Sequence, residues 1–266
     1  MQPYPGLMLM SDTPSSARAS EPRRTATGAA YSPLYQQIKA LLLQSLDQGE
    51  WKPGEAIPSE VDLAARFQVS QGTVRKAIDE LAAENLLLRR QGKGTFVATH
   101  HEAKVRFRFL RLAPDNPEAP VTSGSRILDC RRVRSPADIA ALLQLRTGDI
   151  VVNLRRVLSF ENVPTILDDI WLPGTVFKGL SASTLARNKG PLYAFFESEY
   201  GVSMVRAEEK IKAVSATSEQ AGLLQVDVNA PLLQVERVSF TYGDRPMEVR
   251  RGLYVTDRFH YKNSLN

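Results

Sequence analysis

The sequence of 266 residues contains a single cysteine, Cys130. One cysteine cannot form an intrachain disulfide, and this scarcity fits a reducing compartment, so we expect a cytoplasmic protein in which Cys130 packs as a small apolar side chain in a strand. No apolar run approaches the roughly 18 residues that a membrane-spanning helix requires. Leu7–Met10 is too short for a signal-peptide core and follows no basic segment. We therefore expect no membrane partner.

Histidine is also scarce, with three residues in the chain. His100 and His101 are adjacent, and neighbouring side chains point apart, so with no third ligand nearby we expect a polar linker at residues 99–104, no metal site and no cofactor. The net charge of +5 and the pI of about 9.3 are compatible with a nucleic-acid partner but do not establish one. Residues 11–30 are rich in Ser, Thr, Ala and Pro, and we expect a disordered tail over residues 1–30.

Residues 59–85 have the pattern of two short helices joined by a tight turn. Ser59 precedes the first helix, and Asp62 stands three residues later, as in a capping box. This helix ends at residues 68–70, where Ser70 can cap a second helix. The second helix has an apolar stripe and, near its N-terminus, a polar and basic side that can enter a DNA major groove. The stripe consists of Val74, Ala77, Ile78 and Leu81.

A basic hairpin follows the second helix. Leu86–Leu88 and Thr95–Val97 are apolar segments of β type, and residues 89–94 form a tip of arginine, lysine and glycine. The glycines permit positive φ, and the three cations suit phosphate or minor-groove contact. A helical pair with a solvated hairpin is the alternative interpretation. The order helix, turn, helix and basic wing favours DNA binding.

This order resembles the winged-helix regulators of the GntR family. The matching segments are Pro33–Leu42, Pro53–Phe67, Val69–Ile78 and Arg89–Val97. The resemblance implies a dimeric transcription factor that binds operator DNA, usually a repressor released by a small molecule. We therefore expect a winged helix-turn-helix domain over residues 31–98, a homodimer and a double-stranded DNA partner. The residues expected to contact DNA are Ser59, Gln71, Gly72, Thr73, Arg75, Lys76, Arg90, Gly92 and Lys93.

One of these positions departs from the family pattern. The residue after Val69-Ser70 is usually arginine in the family, and here it is Gln71. Glutamine pairs bidentately with adenine, whereas arginine prefers guanine. We expect the operator to differ from the family consensus at that base.

The rest of the chain contains an internal repeat. Residues 138–164 and 219–246 each read as a short amphipathic helix, a turn and two strands. Leu143-Gln144-Leu145 matches Leu224-Gln225-Val226, and Arg156-Val157 matches Arg237-Val238. Two such units predict a sheet with pseudo-twofold symmetry and helices on one side, in an α+β arrangement.

This half resembles the UTRA ligand-binding domain of the HutC-like branch of the GntR family, which shares its fold with chorismate lyase. Besides the repeat, the resemblance rests on Pro191–Val202, Ala207–Val214 and Met247–Tyr261. It implies a mixed sheet-and-helix domain for effector binding and dimerisation, which we place at residues 105–262.

The resemblance also implies a small-molecule site on one face of the sheet. Strand residues Glu248, Arg250, Gly252 and Tyr254 share a face because strand side chains alternate, and Asp168 lies on the equivalent strand of the other repeat. A solvent-exposed or dimer surface is the alternative interpretation of this face. The residues expected to bind the effector are Arg156, Asp168, Tyr193, Glu248, Arg250 and Tyr254.

Two departures bear on the effector. Leu158 stands where a second arginine is common in binders of phosphorylated sugars, and Pro191 stands where a serine is usual. An anion would lose a bidentate partner and a hydroxyl at a helix N-terminus. We expect a carboxylate or amino-acid-like effector, anchored by Arg156, rather than a sugar phosphate.

The chorismate-lyase-like fold raises the alternative of an enzyme. The sequence shows no nucleophile elbow, metal cluster or phosphate loop. Asp168 and Asp169 are consecutive strand residues that should face opposite ways, which makes them a poor acid–base pair. A purely architectural DNA-binding protein, the third possibility, would not need a second domain of this size. We therefore expect a regulator without catalytic residues.

Overall fold

The computed structural model describes residues 32–101, 111–116, 123–188 and 190–263. The expected tail at residues 1–30 and part of the expected linker lie outside these ranges. Within them, no helix has the length and apolarity needed to cross a membrane.

Three helices and a hairpin make up the N-terminal part. The helices are α1 (Leu34–Asp47), α2 (Glu60–Phe67) and α3 (Gln71–Ala83), and the hairpin pairs β1 (Leu87–Arg90) with β2 (Gly94–Val97) in antiparallel fashion. The predicted caps are confirmed. Ser59 Oγ accepts from the Asp62 N–H at 3.2 Å, the Asp62 carboxylate accepts from the Ser59 N–H at 3.3 Å, and Ser70 Oγ accepts from the Thr73 N–H at 3.2 Å. Each cap contributes roughly 0.5–2 kcal/mol.

The core of this part lies between α1 and α3. The predicted stripe of α3 is fully buried against Ile38, Leu42 and Leu46 of α1. Two other leucines of α1, Leu34 and Leu41, are 51% and 42% exposed. Leu34 is the first residue of the helix, and Leu41 is turned by about 100° from Leu42, so neither reaches the core.

The hairpin turn is shorter than the predicted tip. Strand β1 continues through Arg90 and β2 begins at Gly94, which leaves residues 91–93 as the turn. Arg89 therefore lies within a strand, where it pairs with Thr95. Its guanidinium bonds to the carboxylates of Asp79 and Glu60 rather than projecting from the tip.

The C-terminal part contains eight of the described strands: β3 (Leu112–Pro114), β4 (Ser123–Arg134), β5 (Ile150–Phe160), β6 (Val163–Pro173), β7 (Arg206–Ser215), β8 (Pro231–Thr241), β9 (Arg245–Tyr254) and β10 (Phe259–Tyr261). Six of them form an antiparallel sheet in the order β4-β5-β6-β9-β8-β7. A short ribbon pairs β3 with β10. The helices are α4 (Ala137–Leu142), α5 (Ala182–Arg187), α6 (Leu192–Tyr200) and α7 (Ser218–Leu224), with a 3₁₀ turn at Tyr242–Asp244.

The order of strands reflects the repeat. One unit supplies β4, α4, β5 and β6, the other supplies β7, α7, β8 and β9, and the two meet where β6 pairs with β9. Helices α4 and α7 pack on one face of the sheet, as predicted. Helices α5 and α6 cover the opposite face, where Leu185 and Phe196 pack with Leu154 and Ile170. The expectation of helices on one side was therefore wrong for these two, which lie outside the repeated units.

Candidate DNA-reading surface and effector site

The residues predicted to contact DNA lie at the N-terminal turns of α2 and α3 and around the hairpin turn. Thr73 is half-buried, and the other eight are exposed. Gly92 has a φ of 70°, and a Cβ built on it would meet nothing within 4 Å, so the turn can approach another surface closely. Two cations nearby are held over aromatic rings. Lys76 Nζ lies 3.9 Å from the Tyr35 ring centroid, and Arg90 Cζ lies 4.3 Å from that of Phe96.

Gln71 and Arg75 donate to one carboxylate. They lie one turn apart on α3, and both bond to Glu60 at the start of α2, through Gln71 Nε2 at 3.2 Å and Arg75 Nε at 2.9 Å. Arg89 Nη1 reaches the other oxygen of Glu60 at 2.9 Å. Partial burial raises the pKa of Glu60, but the hydrogen bonds from Arg89, Arg75 and Gln71 outweigh it and hold the pKa below its ordinary value. The sequence interpretation missed Glu60, because its partners lie on other elements.

The residues predicted to bind an effector come together on the face of the sheet covered by α6. All are buried: Arg156 (7% exposed), Asp168 (1%), Tyr193 (8%), Glu248 (0%), Arg250 (8%) and Tyr254 (3%).

Most of these side chains bond to one another. Arg156 donates to Asp168 Oδ2 from Nε at 3.1 Å and from Nη2 at 3.0 Å. Arg250 binds Glu248 at 3.0 and 2.9 Å and reaches Asp168 at 3.4 Å. The Tyr193 hydroxyl donates to Glu248 at 2.6 Å. Burial alone would lower the pKa of Arg250. The nearby negative charges, chiefly that of Glu248, have the larger effect and hold this pKa well above its ordinary value. Burial and Glu248 together raise the pKa of Tyr193 to about 12. The cluster is thus an internally paired ionic network.

Strand β8 adds two residues that the predicted set lacks. Arg237 is 2% exposed and donates to Glu209 at 2.6 Å, and Ser239 is fully buried with its hydroxyl 3.0 Å from that of Tyr193. A signal for Arg237 existed in the sequence, because the repeat aligns Arg237 with Arg156. Glu209 had no such signal, since its pairing depends on the register between β7 and β8.

One carboxylate oxygen of this cluster has no hydrogen-bond donor among the described residues. Asp168 Oδ1 is buried and accepts no hydrogen bond from any residue that the structure describes. It lies over Gly252, where an added Cβ would stand 3.0 Å from Oδ1 and 2.6 Å from Tyr254 Cε2. The absence of a side chain at Gly252 therefore makes room for both Asp168 and Tyr254.

The segment joining the two parts of the chain packs against α6. Glu197 accepts hydrogen bonds from the Thr99 hydroxyl and, at 3.1 Å, from the His100 backbone N–H. The His100 ring meets Tyr193 edge to face at 5.4 Å between centroids and donates from Nε2 to the Met204 carbonyl at 3.0 Å. His100 is 3% exposed, so the second residue of the predicted polar linker is buried.

A second contact joins the parts at the turn between β8 and β9. Tyr242 is 9% exposed and belongs to the same apolar cluster as the buried residues of α1 and α3. Beside it, Arg245 binds Asp47 of α1 at 2.5 Å. Burial raises the pKa of Tyr242 above its ordinary value, as expected for a hydroxyl enclosed between two packed surfaces.

An exposed helix-turn-helix with a wing, followed by a separate sheet domain, defines a DNA-binding transcription regulator. The chain belongs to the GntR family: residues 34–97 match "Bacterial regulatory proteins, gntR family", and residues 118–260 match the UTRA domain. These matches confirm the predicted family, the α+β fold and a regulator rather than an enzyme.

Relatives and solved structures agree with this assignment. The HTH-type transcriptional repressor NagR of Bacillus subtilis is 27% identical over 237 residues, 88% of this chain and 96% of the relative. The histidine utilization repressor of Pseudomonas putida is 26% identical, over 87% of this chain and 91% of the relative. The crystal structure of the ligand-binding domain of a GntR-family regulator from Bordetella bronchiseptica is 61% identical, covering 60% of this chain and 98% of that chain, with a TM-score of 0.59.

Proposed function

We propose that this protein is a homodimeric transcriptional repressor whose binding to operator DNA is controlled by a small carboxylate or amino-acid-like effector. One observation carries the proposal. The N-terminal turn of α3 is exposed, polar and basic, and the other domain of the same chain contains a buried ionic cluster that the linking segment contacts. The relatives named as repressors support the sign of regulation. Because its partner is DNA, such a regulator acts in the cytoplasm.

DNA recognition is assigned to α3 and the wing. The N-terminal turn of α3 would enter the major groove with Gln71, Thr73 and Arg75 toward base edges. The wing, with Gly92 and Lys93, would contact phosphate. Exchanging Gln71→Arg should shift the selected base from adenine towards guanine, and an unchanged base preference would contradict this role.

The effector class follows from the charges of the buried cluster. Arg156, Arg250 and Arg237 are already paired with Asp168, Glu248 and Glu209. A doubly charged phosphate would add two negative charges to a network that is already neutral, at a high desolvation cost. A carboxylate would add only one negative charge. Arg156 already donates from Nε and Nη2 to Asp168, so it would bind the carboxylate from Nη1 or by exchanging part of that pairing.

Further support for an amino-acid-like effector comes from Asp168 and from α6. The buried Oδ1 of Asp168 accepts no hydrogen bond within the described residues, and an ammonium or hydroxyl group of a ligand would satisfy it. Helix α6 begins at Leu192, and its N-cap residue Pro191 has no side-chain group that could hydrogen-bond an anion at the helix N-terminus. The relative named for histidine utilization is consistent with this class.

The route from the cluster to DNA is proposed to run through α6. Tyr193 bonds to Glu248 in the cluster, and one turn later Glu197 bonds to Thr99 and His100. A ligand that displaces the Tyr193–Glu248 bond would move the helix that holds the linking segment. Any such switch requires a ligand that binds the two states with different affinity.

Calorimetric titration with a panel of amino acids, other carboxylates and sugar phosphates tests the effector class. We expect one carboxylate or amino acid to bind the wild-type protein and to bind Arg156→Lys at least tenfold more weakly, because lysine lacks the bidentate fork. Lys178→Arg, a charge-conserving change at an exposed position outside the cluster, is the matched control. Tight binding of a sugar phosphate would refute the assigned class.

A further inference from the structure

Glu60 occupies an unusual position among the candidate DNA-reading residues. It is the first residue of α2, its side chain is 13% exposed, and it joins three elements by accepting from Gln71 and Arg75 of α3 and from Arg89 of β1. An acidic residue near a DNA-facing surface repels phosphate, so its presence there requires a compensating role.

The bonds to Glu60 fix which atoms the two α3 side chains present. An ionised carboxylate can only accept, so Nε2 of Gln71 faces Glu60 and the amide oxygen faces away. Arg75 uses Nε for the same carboxylate, and no hydrogen bond engages its Nη atoms within the residues that the structure describes. Gln71 therefore presents its amide oxygen as an acceptor and keeps the second hydrogen of Nε2 as a donor, and Arg75 presents a two-pronged donor.

We propose that Glu60 is a specificity-determining positioning residue, which holds Gln71 and Arg75 in the orientation that reads DNA bases. This inference rests on the proposed DNA-binding function. An outward amide oxygen matches the exocyclic amino group of adenine or cytosine, and the paired Nη atoms of Arg75 match O6 and N7 of guanine. Without Glu60, both side chains would sample many rotamers, and their pairing with a particular base would cost more conformational entropy.

Glu60 also limits attraction to DNA of any sequence. It offsets the charges of Arg75 and Arg89, and fewer free cations near the helix start mean weaker phosphate binding. Removal of Glu60 should therefore lower the preference for the operator while leaving the affinity for random DNA unchanged or increased. Loss of fold would weaken both kinds of binding together.

Asp79 provides a matched control. It is exposed, lies on α3 and bonds to Arg89 at 3.0 and 2.7 Å, but within the described residues it makes no hydrogen bond to Gln71 or Arg75. Asp79→Ala removes the same charge and one of the two partners of Arg89. This variant therefore shows how much the loss of a negative charge alone changes DNA binding, without a change in the positions of Gln71 and Arg75.

The test is selection of binding sites from a pool of randomised DNA duplexes by the full-length wild-type protein and by Glu60→Ala, Glu60→Asp and Asp79→Ala. We expect the wild type to select a pseudo-palindromic motif. Both Glu60 variants should lose base preference at the positions read by Gln71 and Arg75 and show roughly ten- to hundredfold less discrimination between operator and random DNA. Glu60→Asp keeps the negative charge but has a shorter side chain. The same loss of base preference in this variant would show that Glu60 acts by positioning Gln71 and Arg75 rather than by its charge.

Two outcomes would overturn the inference alone. One is a Glu60→Ala motif identical to that of the wild type, and the other is the same loss of base preference in Asp79→Ala. A wild-type protein that selects no motif would instead contradict the proposed function and this inference with it. Circular dichroism and thermal unfolding of each variant establish that the fold is retained.

Discussion

Arg156 and Asp168 face each other on β5 and β6, and both are buried. The next residue on β6, Asp169, points to the opposite face, where it lies 3.6 Å from Arg155. The prediction that the two aspartates face opposite ways is thus confirmed, because strand geometry alone dictates it. At the scale of single residues, the two-residue period separates a buried ion pair from a partly exposed one.

Replacing Asp168 and Asp169 one at a time tests whether the first belongs to a buried ion pair and the second to a partly exposed one. Asp168→Asn should lower the free energy of unfolding by about 3–5 kcal/mol, because Arg156 would stay buried without its charged partner. Asp169→Asn should cost less than about 1 kcal/mol, since the pair of Asp169 with Arg155 is partly exposed. Urea unfolding of both variants and the wild type measures the difference. Equal losses would contradict the buried cluster.

Helix α6 connects two regions by the spacing of its side chains. Tyr193 and Glu197 are separated by one turn and lie on the same side of the helix. Tyr193 contacts the ionic cluster and Glu197 contacts the segment at residues 99–100. The same helix therefore contacts both the candidate effector site and the start of the linker.

Removal of the Glu197 charge should loosen this attachment. We expect Glu197→Gln to increase hydrogen exchange at the His100 amide and to lower the unfolding free energy by about 1–3 kcal/mol, because a buried, charge-assisted acceptor is lost. Glu199→Gln, an exposed change on the same helix, is the control and should alter neither quantity. Unchanged exchange at His100 in the Glu197 variant would show that this contact does not hold the segment.

Elements defined by local signals were predictable from the sequence. The serine caps and the apolar period gave α2 and α3, because capping and helical spacing involve residues within a few positions of each other. The turn of the hairpin was misplaced, because Arg89 pairs with Thr95 in the ladder and its side chain bonds to Asp79 and Glu60 on other elements.

Within the buried cluster, predictability followed the same rule. Residues on β9 could be assigned to one face from alternation alone. The pairing of Arg237 with Glu209 depends on how β7 aligns with β8, and the placement of α6 over that face depends on packing outside the repeat. Such long-range choices have no local sequence signal.

At the scale of the whole molecule, the described residues contain one recognition helix, α3, and one wing, which reach only a few base pairs. Two copies related by a twofold axis would read a longer, pseudo-palindromic site with half-sites about 10 base pairs apart. The protein is therefore expected to act as a dimer. Light scattering during gel filtration should give twice the chain mass of 29.5 kDa. A monomer at micromolar concentration would contradict the dimer, though not the winged-helix fold.

The most direct test of the central claim is a fluorescence-anisotropy titration of a labelled duplex from the region upstream of the protein's own coding sequence. The account predicts that the wild-type protein binds with nanomolar affinity. Arg75→Ala should bind roughly 5- to 150-fold more weakly and with lower specificity. Lys93→Ala should keep its sequence preference but show a salt dependence reduced by about one phosphate contact. It also predicts that one carboxylate or amino acid in a metabolite panel weakens binding. Wild-type binding no tighter than to a random duplex of equal length would contradict the claim.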